Sequence, residues 1–206
     1  MRTSYATVAR TAEAEIEVKR SRFLCHVERV ADEAAARAIV ERVRKKHWDA
    51  RHHCSAFVLG PDGDVQRSSD DGEPSGTAGA PMLEVLRGRE VSDVVAVVTR
   101  WFGGTLLGAG GLVRAYGDAV RAGLDAAGVR RRVLSRLYDV RVGHGEAGRL
   151  ESDLRGRGVE VRDADYAELV TLRLATPPAT DLTALLAELT GGSLDASPVG
   201  TSWSDG

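Results

Sequence analysis

The sequence lacks most features that would assign it a class at once. It has only two cysteines in 206 residues, Cys25 and Cys54. They form neither a CxxC pair nor a metal-knuckle spacing. Each falls in an apolar, strand-like stretch, which points to two reduced, buried thiols. No apolar run approaches the ~20 residues that span a bilayer, so no membrane partner is expected. The first residues, Met1-Arg2-Thr3-Ser4-Tyr5-Ala6, lack the apolar region of a secretory signal, and a cytoplasmic location is the expectation. A surplus of one charge is also missing. The net charge is −2. Up to Gly128 there are 18 Lys+Arg and 18 Asp+Glu; after it there are 10 and 12. Neither part is a polycation, so any nucleic-acid contact must come from a local patch. There is no internal repeat and no long low-complexity segment. With 43% hydrophobic and 28% charged residues, the chain reads as globular and long enough for one large domain or two small ones.

The hydrophobic pattern predicts an α+β chain of two domains, 1–129 and 133–206. Glu13 to Lys19 alternates as a half-buried strand does, and Arg22 to Val30 sets Phe23, Cys25 and Val27 on one face. From Asp32, a plausible N-cap, residues Ala36, Ile39, Val40 and Val43 recur at helical spacing. The basic run Arg42 to His47 ends that helix, where the macrodipole favours cations. His53 to Leu59 and Val65 to Ser69 form a hairpin around the turn Gly60-Pro61-Asp62-Gly63-Asp64. Pro81 suits the first turn of a helix. Val94 to Thr99 is a β-branched run typical of a strand buried on both faces. A helix from about Gly110 to Ala127 ends at Gly128. Arg130-Arg131-Arg132 reads as a linker. The remainder alternates β-α-β-β-α-β, the ferredoxin-like signature. Its predicted elements are Leu134–Val142, Glu146–Arg155, Val159–Val161, Ala167–Ala175, Asp181–Leu189 and Ser193–Val199.

Two loops carry the unusual chemistry. The first is Asp70-Asp71-Gly72-Glu73-Pro74-Ser75-Gly76-Thr77-Ala78-Gly79. Asp70, Asp71 and Glu73 can hold Mg²⁺ through one or two oxygens plus waters, or supply a general base. Ser75 and Thr77 can meet a phosphate or cap the following helix, and Gly76 and Gly79 free backbone N–H groups for an anion. The alternative is an exposed turn whose acids sit in water. The second loop follows the buried strand, from Arg100-Trp101-Phe102-Gly103-Gly104 to Gly110-Gly111-Leu112-Val113-Arg114. It is neither GxxxxGK[ST] nor GxGxxG. Arg100 and Arg114 can supply bidentate charge to phosphate, and Trp101 can stack on a base. Against this, Trp101 and Phe102 can fill core while Gly103, Gly104, Gly110 and Gly111 permit close packing. His47, His52, His53 and Cys54 fit no HExxH or zinc-finger spacing. His52 and His53 point to opposite faces of a strand, and His52 is the better candidate for a polar site.

The segments Arg51-His52-His53-Cys54-Ser55-Ala56-Phe57, Asp70 to Gly79 with Pro81, and Val98 to Tyr116 together resemble the IMPACT family in its bacterial YigZ-type branch. The resemblance covers residues 20 to 128. It implies a first domain folded like the second domain of ribosomal protein S5, and a C-terminal domain similar to the ferredoxin-like C-terminal domain of elongation factor G. Two positions depart from the pattern: Ala80 stands where many relatives have a basic residue, and His53 where many have a smaller polar one. Eukaryotic relatives, which regulate translation, carry a different, N-terminal partner-binding domain, for which this chain has no room.

The expectation that follows is a translation-associated regulator that binds RNA, a ribosome or a translation factor. Arg100 and Arg114 would contact phosphate and Trp101 would stack, and no cofactor is required. One alternative is Mg²⁺-assisted phosphoryl or phosphodiester chemistry at Asp70, Asp71 and Glu73. Another is a protein-interaction module without a small ligand, which an exposed apolar patch beside the glycine-rich loop would favour.

Overall fold

The structure, a computed structural model, describes residues 2–206. The chain divides into two compact units, 2–131 and 132–206. The first holds strands β1 (Ser4–Val8), β2 (Ala12–Val18), β3 (Ser21–Arg29), β4 (His52–Leu59), β5 (Val65–Ser69) and β6 (Val94–Trp101). Its helices are α1 (Glu33–Lys46), α2 (Gly79–Gly88) and α3 (Ala109–Ala127). The main sheet runs β2-β3-β6-β4-β5, with every neighbouring pair antiparallel. β6 lies at its centre, and Val94 to Val98 are fully buried, as the unbroken β-branched run requires.

Strand alternation assigns the two faces. Val94, Ala96 and Val98 join Phe23, Cys25, Cys54 and Ala56 against Met82 and Leu86 of α2 and Leu112, Tyr116 and Val120 of α3. Val95, Val97, Phe57 and Leu59 join Ile39 and Val43 of α1 on the other face. Cys25 and Cys54 both pair in register with Val98, one from each side. They are therefore two strand spacings apart, roughly 9–10 Å, beyond disulfide reach. Both are buried free thiols. β1 was not apparent in the sequence. It lies off this sheet, where the Ser92 N–H donates to the Ala6 carbonyl at 2.9 Å.

The second unit continues β7 (Val129–Val142) into α4 (His144–Gly156), β8 (Glu160–Tyr166), β9 (Val170–Thr176), α5 (Leu182–Thr190) and β10 (Ala196–Asp205). Its antiparallel order is β10-β7-β9-β8. In the unit's own numbering this is 4-1-3-2, the ferredoxin-like arrangement, over a core of Val140, Leu150, Leu154, Leu172, Leu174 and Leu186. Two expectations are corrected here. Arg130-Arg131-Arg132 is not a linker but the start of β7. The last strand extends to Asp205 and pairs Trp203 with Leu134.

Candidate functional site

The acidic loop enters from the edge strand β5 and ends at α2. Its three carboxylates go to three separate places. Asp70 turns inward and accepts the N–H groups of Gly76, Ala78 and Gly79 at 2.8, 3.0 and 2.8 Å. Burial works to raise its pKa, but the backbone N–H groups outweigh it and hold the carboxyl below its ordinary value. Asp70 therefore satisfies the start of α2. Neither Ser75 nor Thr77 caps that helix: the Thr77 hydroxyl donates to the Pro74 carbonyl at 2.6 Å, and Ser75 is exposed. Gly79 is fixed by crowding, since a Cβ there would meet the Ser69 backbone at 2.8 Å.

Asp71 faces α1. Its carboxylate accepts from the Arg44 guanidinium at 2.8 Å and from the His53 N–H at 2.6 Å. Its carbonyl lies 2.8 Å from His52 Nδ1. Glu73 goes to the interior instead, where its Oε1 accepts from Arg100 at 2.6 Å and from the Tyr116 hydroxyl at 2.8 Å. The Arg100 and Glu73 side chains are only 8% and 4% exposed. Burial, with Cys54 and Glu73 close by, pushes the Tyr116 hydroxyl well above its ordinary pKa and keeps it a donor. Burial likewise pushes the Cys54 thiol up to about 12, and its Sγ–H donates to the Asp70 carbonyl at 3.0 Å. Among the described residues, no group of three His, Cys, Asp or Glu side chains is placed to hold a metal ion. Asp70, Asp71 and Glu73 thus form three separate anchors.

The two loops do meet, through a buried ion pair. Arg100 shares the α2–α3 face of β6 with Val98 and is the register partner of both Phe23 and His52. Its guanidinium lies 5.4 Å from the Phe23 ring centroid and 5.7 Å from that of Phe102. Arg100 is therefore committed to Glu73 and to packing, which revises the expectation that it is displayed for phosphate. Ser21, unmarked by any sequence signal, joins the same group: its Oγ accepts from the Gly103 N–H at 3.2 Å. A Cβ on Gly103 would lie 2.1 Å from the Arg20 backbone, so this strand end fits the β2–β3 turn only without a side chain. Gly104 has φ +84°, Gly110 is open, and a Cβ on Gly111 would meet Leu107 at 2.9 Å. Arg114 is exposed on α3, and among the described residues it has no ion-pair partner.

Trp101 points to the other face, towards α1. Its indole N–H donates to Asp49 at 2.8 Å, the Arg22 guanidinium lies 4.8 Å from its ring centroid, and His47 meets it edge-on at 5.4 Å. The same end of the sheet displays Trp48, 82% exposed, and Phe102, 56% exposed. It also collects Lys19 and Arg20 of the β2–β3 turn, Lys45 of the last turn of α1, and Arg51 just before β4. Among the described residues these four cations have no carboxylate partner. Sequence reading passed over Trp48, although an indole directly after a basic helix end is itself a signal.

Residues 19–124 match the Impact N-terminal domain, just over half of the chain. The chain belongs to the IMPACT family. Residues 140–193 match a second model, described as a domain of unknown function (DUF1949). The IMPACT family member YvyE of Bacillus subtilis is 47% identical over 167 residues, covering 81% of this chain and 77% of the relative. The IMPACT family member YigZ of Escherichia coli is 42% identical over 182 residues, covering 86% and 89%. A protein IMPACT homolog of Saccharomyces cerevisiae is 34% identical over 125 residues, covering 56% and 48%. A solved structure described as that of an hypothetical protein superposes with a TM-score of 0.70 at 38% identity, covering 97% and 98% of the two chains. The family thus spans both units, and the buried Glu73–Arg100 pair lies within the segment matched to the Impact N-terminal domain.

Proposed function

We propose that this IMPACT family protein is a cytoplasmic, non-enzymatic regulator of translation that binds RNA or a ribonucleoprotein through the open end of its first sheet. One observation carries the reading: Trp48 and Phe102 are exposed beside Trp101, at the sheet end that also gathers Lys19, Arg20, Lys45 and Arg51. Aromatic faces tolerate any base, and unpaired cations track a phosphate backbone. This moves the expected contact surface away from the buried Arg100 and onto the turn, the α1 terminus and Trp48. The buried ion pair becomes the support behind that surface.

The test is fluorescence anisotropy with a labelled single-stranded RNA of mixed sequence, and sedimentation with purified bacterial ribosomal subunits. Four phosphate contacts predict a slope of log K against log salt of about −3, from roughly 0.7 per contact on single strands. Trp48→Ala weakens RNA binding by about 1–3 kcal/mol if one base stacks on it. Absence of binding to both probes at low salt rejects the reading.

A second reading has its own support. Leu106 is 82% exposed and Val113 39%, so with Phe102 the glycine-rich loop is surrounded by exposed apolar side chains. Such a surface suits a protein partner, in which case association is nearly indifferent to salt and falls with Leu106→Ser.

A further inference from the structure

Between α1 and the β4–β5 hairpin lies a cavity of about 430 Å³ that no role described so far uses. Register builds its floor. Ser55 pairs with Ser69 and Phe57 with Arg67, so these four share the face turned towards α1. The helix supplies Arg37, Val40 and Arg44 as the facing wall.

Two observations mark it as a ligand site. Ser55 is 8% exposed and lines the cavity, and among the described residues its hydroxyl has no hydrogen-bond partner. The Ser55 hydroxyl is not sealed off in the core but open to the cavity, where it can offer a hydrogen bond to an incoming ligand. The second observation is the convergence of three guanidinium groups with donors to spare. Arg67 spends Nη1 on the Gln66 carbonyl and has no carboxylate partner. Arg37 bonds Glu33 through Nε and Nη2, which leaves Nη1. Arg44 bonds Asp71 through Nη2 and lies 3.5 Å from Glu41 through Nη1. Glu41 also borders the cavity, so the charge not offset by a carboxylate belongs to Arg67.

We propose that this cavity binds a phosphate monoester carried on a planar ring, the size of a mononucleotide. Arg67 and the spare N–H groups of Arg37 and Arg44 take the phosphate, the geometry at which arginine excels. The Ser55 hydroxyl meets the ligand from the floor, and Val40 and Phe57 form its apolar bed. The volume falls within the ~300–1,000 Å³ of small-molecule sites and would leave most of the space empty around inorganic phosphate. The site does not depend on the RNA reading, because it lies over β4 and β5 while that surface sits at the sheet end.

The experiment is calorimetric titration of the full chain at low ionic strength with AMP, GMP, adenosine and inorganic phosphate. A nucleotide binds, and adenosine and phosphate alone bind at least about tenfold more weakly, since each keeps one half of the interactions. Arg67→Ala weakens the nucleotide by about tenfold or more, as loss of a charge-assisted bond implies, and Ser55→Ala by less. Circular dichroism confirms that both variants fold. Trp48→Ala leaves nucleotide binding unchanged, which separates failure here from failure of the RNA surface. The proposal is overturned by absence of nucleotide binding at millimolar concentration, by adenosine or phosphate binding as tightly as AMP, or by indifference to Arg67→Ala.

Discussion

Replacing Arg100 with methionine tests the central contact of the fold. It removes the cation and leaves Glu73 buried with only the Tyr116 hydroxyl donating to it. Breaking a buried pair by deleting one partner costs about 3–5 kcal/mol, because the remaining charge is uncompensated. The surviving hydrogen bond at 2.8 Å puts the expected loss near the lower end. Loss of the guanidinium over Phe23 and Phe102 adds about 0.5–2 kcal/mol. A total of about 4 kcal/mol is a large share of the 5–15 kcal/mol that usually holds a domain together. At roughly 3–5 °C per kcal/mol for a unit of this size, Tm falls by about 12–20 °C. Urea unfolding in a Trp203→Phe background is the assay, since Trp48 and Trp101 then report the first unit alone. The complementary variant replaces the whole group: Glu73→Leu, Arg100→Met and Tyr116→Phe together bury no orphaned polar atom and should lie within about 1.5 kcal/mol of the wild type. If Arg100→Met alone costs less than about 1 kcal/mol, the pair is not the buried, charge-neutralising contact argued for here.

Asp70→Ala removes the acceptor for three N–H groups at the start of α2 and should cost about 0.5–2 kcal/mol, as lost N-caps do. Because the folded-state pKa of Asp70 lies below its unfolded value, its contribution is complete above the ordinary aspartate range. The gap between wild type and variant therefore closes as pH falls through the folded pKa, which paired unfolding curves at neutral and acid pH will show. Neither cysteine should react with a thiol reagent in the native protein at pH 8. Burial pushes Cys54 up to about 12 and raises Cys25 further, so two thiols should appear only after denaturation. Gly123→Ala places a Cβ 2.7 Å from the Cys25 sulfur and 2.8 Å from Val27, prising α3 from β3 at about 1–3 kcal/mol in thermal unfolding.

What the sequence made legible was whatever repeats locally. The alternation of β2 and β3, the unbroken β-branched run of β6 and the helical spacing of Ala36, Ile39 and Val43 marked elements of the first unit, and the β-α-β-β-α-β order agrees with the 4-1-3-2 sheet of the second. The failures share one cause. Glu73 and Arg100 are 27 positions apart and meet only after β6 has paired with β4. Read singly, Glu73 is a candidate metal ligand or a solvated acid and Arg100 a candidate phosphate contact, since ionised side chains are rarely buried without a partner. Ser75 and Thr77 looked like caps because of their type, but Asp70 reaches across the loop from six to nine positions away. The start of β7 read as a linker because three arginines in a row carry no apolar alternation, yet Arg132 pairs with Asp205 of β10.

The two loops therefore act on each other before they act on anything outside. Asp70 holds the entry to α2, Asp71 ties the loop to α1, and Glu73 closes on Arg100 beneath the glycine-rich segment. With Gly103 pressed on the Arg20 backbone and bonded to Ser21, the end of β6 has a fixed exit direction. Trp101 and Phe102 leave that strand on opposite faces, the first held by Asp49 and the second left exposed. A site that recognises a flexible partner gains affinity when its own side chains are ordered beforehand. A buried ion pair is costly to keep, and here it fixes the backbone from which Phe102 emerges. On this argument Arg100→Met at a temperature where the variant is still folded should weaken RNA binding at the proposed surface by mobilising that strand end, while the exposed cations of that surface remain in place.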